Sequence, residues 1–139
     1  MLTATATEEI PLPADQAWEV IGKFDEIRRW AIVVQGERCE QTPEGRIRTL
    51  LMPPDGREVR ELLVAEGPHS YTYQVLGAID SPRNFGTVSV VPLDGARSRI
   101  DLKSEFEVPA GVDADEALAN KNKFLRGNLK AMKRALGLA

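Results

Sequence analysis

Histidine and cysteine are nearly absent from this chain of 139 residues, which has one of each. A zinc site built from these residue types needs about four ligands, so His69 and Cys39 cannot assemble one. A single cysteine also excludes a disulfide within the chain, and we expect Cys39 to be a strand residue. His69 lies in a Gly-Pro-His-Ser turn, where we expect it to be exposed, so a Ser-His-Asp or Cys-His arrangement is not indicated. We expect no metal ion and no cofactor.

Long apolar runs, a basic charge excess and Gly-rich nucleotide-binding motifs are missing as well. No segment approaches the roughly 20 apolar residues that a membrane-spanning helix needs. No secretory signal pattern precedes Glu8 and Glu9. The net charge is −3, whereas a nucleic-acid-binding domain usually presents a basic face. We therefore expect a cytoplasmic protein that has no nucleic-acid partner and no stable membrane insertion.

The opening segment predicts one strand and two short helices. A strand rich in alternating threonine ends at Pro11 and Pro13, because proline lacks the N–H that a sheet ladder uses. Gly22 is a typical residue after the end of a helix. Apolar residues recur at spacings of three and four on both sides of this glycine, first at Ala14, Trp18 and Ile21 and then at Phe24, Ile27 and Trp30.

Turn signals divide the rest of the chain into six further strands and one long helix. The strands are expected near residues 33–40, 46–52, 58–66, 70–76, 85–91 and 97–108. With the first strand they predict a seven-stranded antiparallel meander. The helix, from about 113 to 136, would rise roughly 36 Å and could cross a whole curved sheet. The connection at 77–82 is longer than a hairpin needs, as in loops at cavity mouths and in ordinary connections.

The segment I-P-L-P-A-D-Q-A-W…F-D-E-I-R-R-W resembles the start of the polyketide cyclase/dehydrase-type branch of the START-like (SRPBCC) superfamily. Further matching motifs follow in the same order, from about residue 3 to 136: Asp55-Gly56, Arg60-Glu61-Leu62-Leu63, Tyr71-Thr72-Tyr73, Pro82-Arg83-Asn84-Phe85 and Ser104-Glu105-Phe106. The resemblance implies an α+β helix-grip fold, in which a seven-stranded antiparallel curved sheet wraps around the long C-terminal helix. It also implies a single ligand-binding domain over residues 1–139, with Trp30 near the entrance of a cavity.

Polar residues on apolar faces are the candidates for contact with a ligand. Lys121 and Asn128 fall within or beside the apolar stripe of the last helix, nearly in line. Either they line the cavity, or Asn128 sits at the rim and the Lys121 ammonium reaches solvent. Tyr71 and Tyr73 share a strand face, so their rings fill the core or carry their hydroxyls into the cavity. The stripe itself consists of Ala114, Leu118, Leu125, Leu129, Met132 and Leu136, with Phe124 on one edge.

Charged residues in the middle strands leave their orientation open. Arg60 and Glu61 lie on opposite faces of one strand, and apolar residues flank them on both faces. Arg48 has the same ambiguity, so a buried Arg–Glu pair between strands is an alternative to a ligand contact. Relatives often carry the order Glu-Arg where this chain has Arg60-Glu61, and a tryptophan where it has Leu102. Asn84 is expected to bond loop backbone at the cavity rim.

We expect a protein that holds a hydrophobic or amphipathic small molecule, such as a polyketide, lipid, isoprenoid or aromatic metabolite. One alternative is a polyketide aromatase/cyclase or dehydratase that acts by positioning and general acid/base help from Glu61, a tyrosine or Lys121. A second is a protein-interaction or chaperone-activator module that uses the basic outer face of the last helix. The chain is expected to be a monomer or homodimer. The candidate ligand-binding residues are Trp30, Arg48, Glu61, Tyr71, Tyr73, Asn84, Lys121 and Asn128.

Overall fold

The computed structural model describes residues 1–77 and 83–138, so most of the expected loop at 77–82 lies outside the described residues. The strands are β1 (Leu2–Ile10), β2 (Gly36–Thr42), β3 (Gly45–Met52), β4 (Arg57–Gly67), β5 (Ser70–Leu76), β6 (Asn84–Pro92) and β7 (Ser98–Phe106). The helices are α1 (Ala14–Ile21), a 3₁₀ helix (Phe24–Arg29) and α2 (Ala114–Ala135).

The seven strands form one antiparallel sheet in the order β1-β7-β6-β5-β4-β3-β2. Consecutive strands pair except where β1 closes against β7, which is the wrapping expected of a helix-grip fold. Helix α2 packs mainly on β1 and β7, and the 3₁₀ helix packs on β2 at the other edge. The predicted α+β helix-grip architecture is confirmed.

The short helices have the predicted boundaries and the predicted inward faces. Helix α1 ends at Ile21 and is capped by Gly22, and its Ala14 and Ile21 are buried. The second short helix is a 3₁₀ helix with a kink at Glu26, and in 3₁₀ geometry residues three apart share a face. Phe24, Ile27 and Trp30 have that spacing, and all three are buried. This edge of the sheet is therefore covered by aromatic and aliphatic side chains.

Helix α2 packs along only part of its length. Asp113 caps it by accepting a hydrogen bond from the Glu116 backbone N–H at 3.2 Å. Leu125, Leu129 and Met132 are buried in the core. The prediction that Ala114 packs with them was wrong, because residues 114–116 are exposed and the helix begins before it reaches the core.

Strand β7 confirms the alternation read from the sequence. Ile100, Leu102, Ser104 and Phe106 are buried, whereas Lys103 between them is exposed. Cys39 is an exposed residue of β2, as expected of a strand residue at the sheet edge. Among the described residues, no helix has the length and apolar character to cross a membrane.

Candidate functional site

A cavity of about 530 Å³ lies between the inner face of the sheet, the 3₁₀ region and α2. Most of its wall is apolar. The aliphatic and thioether side chains come from every layer that surrounds the cavity, and they include Ile27, Val34, Leu50, Val88, Leu102, Leu125 and Met132. The space exists because α2 packs closely on β1 and β7 while the middle strands curve away from it.

The structure places all eight candidate residues on the wall of this one cavity. They come from different parts of the chain, so the fold rather than local sequence brings them together. Five of them form two groups. Arg48 contacts both Glu61 and Tyr71 at the end near the 3₁₀ helix. Lys121 and Asn128 approach from α2 on the other side.

Arg48 is the most enclosed charge in the described part of the chain, with 1% of its surface exposed. Its Nε donates to Glu61 Oε1 at 2.8 Å, and its Nη1 donates to the Phe24 carbonyl at 3.1 Å and to the Tyr71 hydroxyl at 3.4 Å. A charge of this kind is tolerated in a core only when it is paired and hydrogen-bonded. These bonds tie the 3₁₀ helix to β3, β4 and β5.

Aromatic rings enclose the same guanidinium. Its Cζ atom lies 4.3 Å from the Phe24 ring centroid, 4.9 Å from Tyr73 and 5.4 Å from Tyr71. Such cation–π contacts favour the charged form. Burial alone would lower the pKa of Arg48, but the neighbouring Tyr71 and Glu61 oxygens more than offset it and raise the pKa. Arg48 therefore stays charged.

The orientation of Arg60 and Glu61 follows from strand register. Arg48 on β3 stands directly opposite Glu61 on β4, and such antiparallel partners point to the same side of a sheet. Glu61 is accordingly buried and Arg60 exposed. The structural alternative considered for these residues, a buried pair between neighbouring strands, is the arrangement present.

Tyr73 lies flat over a glycine that the sequence analysis missed. Gly86 is its cross-strand partner on β6. A Cβ added at Gly86 would lie 2.4 Å from the Tyr73 hydroxyl oxygen. A glycine inside a strand often marks such a close approach, and this was the signal available. Burial, and then the negative charge of Glu61, raise the pKa of Tyr73, so its hydroxyl stays protonated.

Lys121 is held against aromatic rings. Its Nζ atom lies 5.0 Å from the Phe106 ring centroid and 5.7 Å from that of Phe124. Burial lowers its pKa. Among the described residues no carboxylate pairs with it. Phe124 lines the cavity although 53% of its surface is exposed, which places it at an opening.

Four further polar side chains reach the cavity. Trp30 is 4% exposed, and its indole Nε1–H has no hydrogen-bond partner among the residues described. Asn128 is half-buried on α2, and Asn84 begins β6 at the edge of the cavity. Ser104 on β7 is buried and lines the same wall. Sequence reasoning placed Ser104 on the inner face but did not propose it as a site residue.

His69 is not the exposed turn residue that the sequence predicted. Its side chain is 24% exposed, and its Nε2 lies 2.6 Å from Asp15 Oδ1. The ring also packs edge-on against Trp18, with centroids 6.3 Å apart. These contacts join the β4–β5 turn to α1, and they could not be read from local sequence. His69 lies outside the cavity wall.

The described residues contain no group of three or more His, Cys, Asp or Glu side chains that could hold a metal ion.

The basic residues of α2 differ in what they face. Lys121 faces the cavity, and Lys133 forms an ion pair with Glu8. An exposed basic face remains at Lys123, Arg126, Lys130 and Arg134.

A family model described as polyketide cyclase / dehydrase and lipid transport matches residues 1–137. The chain belongs to this family. The membership confirms the resemblance read from the sequence motifs. A comparison with curated proteins gave no match.

Solved structures of other proteins share the fold. An uncharacterized protein from Bacillus thuringiensis is 25% identical, with 97% of this chain and 98% of that chain covered and a TM-score of 0.82. A START superfamily protein from Mycobacterium smegmatis is 15% identical, with 96% of this chain and 93% of that chain covered and a TM-score of 0.70. The Zhui aromatase/cyclase from a Streptomyces species is 19% identical, with 97% of this chain and 90% of that chain covered and a TM-score of 0.68. The family and its START-like fold indicate a ligand-binding fold.

Proposed function

We propose that this protein binds one small hydrophobic or amphipathic molecule in the cavity between the sheet and α2, as a single domain over residues 1–139. The observation that carries the proposal is an apolar-walled space of about 530 Å³ with a few polar groups on its wall. Small-molecule sites usually have volumes of about 300–1,000 Å³ and this kind of lining. A polyketide, lipid, isoprenoid or aromatic metabolite has the matching character.

Apolar contact supplies the affinity, and the polar groups set the orientation. Burial of apolar ligand surface contributes about 25 cal/mol per Å², less the cost of ordering the ligand. Arg48 and Glu61 satisfy each other, so they and Tyr71 form a polar floor. Tyr73 and the α2 residues have polar atoms left over for a ligand. Trp30 contributes a ring face and one N–H, and Asn84 a contact at the rim.

Filling the cavity tests this proposal. Nile red, a neutral dye whose fluorescence rises in apolar surroundings, reports on binding directly. Leu102→Trp places a large ring in the cavity and should weaken Nile red binding about tenfold or more. Leu93→Trp is the matched control, because Leu93 is exposed and lies off the cavity wall. Equal binding by both variants, with both folded by circular dichroism, would refute cavity binding.

Catalysis of the aromatase/cyclase or dehydratase kind is a second candidate function. It is favoured by one observation, an inward carboxylate, Glu61, whose negative charge helps raise the pKa of Tyr73 and keep that hydroxyl protonated. A protonated Tyr73 could donate to a substrate carbonyl while the wall holds a reactive chain folded. Tyr73→Phe should then lower turnover of a poly-β-carbonyl substrate by about 10²-fold with little change in its binding. Unchanged turnover would remove this candidate.

A further inference from the structure

Several hydrogen-bond donors on the cavity wall have no partner in the described part of the chain. The Lys121 ammonium, the Trp30 indole N–H and the Tyr73 hydroxyl have no hydrogen-bond partner in the described part of the chain. Ammonium, guanidinium and indole groups can only donate. A complementary ligand is therefore rich in acceptor oxygens.

The carboxylates of the cavity wall already have partners. Glu61 Oε1 accepts from Arg48 at 2.8 Å, and Glu58 lies 3.0 Å from Arg38 Nη2 on the outer part of the sheet. Neither is paired with Lys121. The described wall therefore contains a half-buried cation without an anion, although cations in apolar surroundings are costly unless they are paired.

Two aromatic faces fix the position of this cation without neutralising it. Phe106 ends β7, and Phe124 lies three residues beyond Lys121 on α2. Cation–π contacts offset only part of the cost of burial. The ammonium is thus held beside the apolar space, with its N–H groups available.

Sheet register places further donors near the Lys121 ammonium. Tyr73, Gly86 and Ser104 are consecutive cross-strand partners on β5, β6 and β7. Ser104 is two residues from Phe106, so both point inward about 7 Å apart. A ligand head beside Lys121 therefore faces a wall that also carries the Ser104 and Tyr73 hydroxyls.

We propose that the cavity ligand is an amphipathic monocarboxylate, whose carboxylate binds the Lys121 ammonium while its apolar part fills the space under α2. This inference rests on the proposed function of the same cavity. A single negative charge fits better than a phosphate dianion, because the other cations of the wall are engaged or exposed. Arg48 is paired, Lys103 pairs with Glu105 at 3.3 Å, and Arg57 is exposed.

Head-group exchange on a fixed apolar chain tests the inference. Dodecanoic acid and 1-dodecanol, each below its aggregation concentration at pH 8, would compete with Nile red for the purified protein. We expect the acid to displace the dye at a concentration about tenfold lower than the alcohol, as a charge-assisted hydrogen bond allows. Lys121→Met should abolish that difference, and Lys121→Arg should retain most of it.

Lys123→Met is the matched control, because it removes the same charge from an exposed position of the same helix. It should keep the preference for the acid. Equal displacement by acid and alcohol in the unmodified protein would overturn the inference while leaving cavity binding intact. An equal loss of preference in both methionine variants would also overturn it, since it would indicate general attraction to a basic helix. Failure of Nile red and of both dodecyl compounds to bind would refute the proposed function itself.

Discussion

Two cations, the buried Arg48 and the half-buried Lys121, line the same cavity in opposite ways. Arg48 has a carboxylate, a carbonyl and a hydroxyl within hydrogen-bond distance, and aromatic rings around its plane. Lys121 has ring faces alone among the described residues. The pKa of Arg48 is raised and that of Lys121 is lowered, although burial removes water from around both side chains. The protein thus satisfies one charge itself and leaves the other in need of a partner.

The comparison separates a structural charge from one available for binding. Arg48 ties the 3₁₀ helix to the sheet, and the planar, multidentate guanidinium suits that task. Lys121 is a compact charge on a flexible stem, positioned on a helix that closes the cavity. Substitutions at the first should affect folding, and substitutions at the second should affect ligand choice.

The largest expected effect is loss of the buried pair. Arg48→Met leaves Glu61 buried without a partner, which should lower the free energy of unfolding by about 3–5 kcal/mol. Urea denaturation measures this loss. The double variant Arg48→Met/Glu61→Leu should recover much of it, because no uncompensated charge remains. A single variant as stable as the unmodified protein would contradict a structural role for the pair.

The next largest effect concerns the cross-strand pair of Tyr73 and Gly86. Gly86→Ala places a Cβ 2.4 Å from the Tyr73 hydroxyl and should cost about 1–3 kcal/mol by overpacking. Thermal or urea unfolding would show the loss. In a Tyr73→Ala background the same change should cost much less, since the clashing ring is absent. Equal costs in both backgrounds would show that Tyr73 does not require this glycine.

A helix substitution away from the cavity calibrates the α2 variants. Gly127 lies in the exposed middle of α2, and a Cβ there would meet no atom within 4 Å. Gly127→Ala should raise the free energy of unfolding by about 0.5–1 kcal/mol, because alanine is the better helix former. It should leave the preference for acid over alcohol unchanged. A loss of that preference would mean that α2 substitutions act through helix stability.

The smallest effect is a pH dependence that belongs to Lys121. The pKa of Lys121 in the folded protein lies below the ordinary value of 10.5, which we take for the unfolded chain. At a pH between the folded and unfolded pKa values, the unfolded chain therefore binds more protons than the folded protein. Stability from this residue therefore rises as pH increases through that window. Lys121→Met should be slightly more stable than the unmodified protein at pH 7, and this gap should narrow toward pH 10. Paired urea titrations would detect it, and a gap that widens would contradict the account.

Sequence patterns predicted the fold well because the fold depends on local signals. Alternation in β7 and the Gly22 stop identified the elements, and strand order followed from an antiparallel meander. The first turn of α2 was misjudged at Ala114, because periodicity indicates a face but not how far the neighbouring sheet extends.

The site was less predictable because it depends on register and long-range contacts. Which of Arg60 and Glu61 faces inward could not be assigned without the strand register, which places Arg48 on β3 opposite Glu61 on the neighbouring β4. The packing of Tyr73 over Gly86 has only one local signal, a glycine inside a strand. The contact of His69 with α1 has no local signal. All eight candidate residues reached the cavity wall, but the division between paired and unpaired charges required coordinates.

The most direct test uses the two tryptophans of the chain as reporter and control. Each indole N–H gives one signal in a ¹⁵N–¹H spectrum, and dodecanoic acid can be titrated while both are followed. Trp30 lines the cavity and Trp18 does not. The account predicts a saturable one-to-one shift of the Trp30 indole and the Asn128 side-chain amide, with a smaller change at Trp18. A fixed Trp30 signal, or shifts confined to the exposed face of α2, would contradict ligand binding in this cavity.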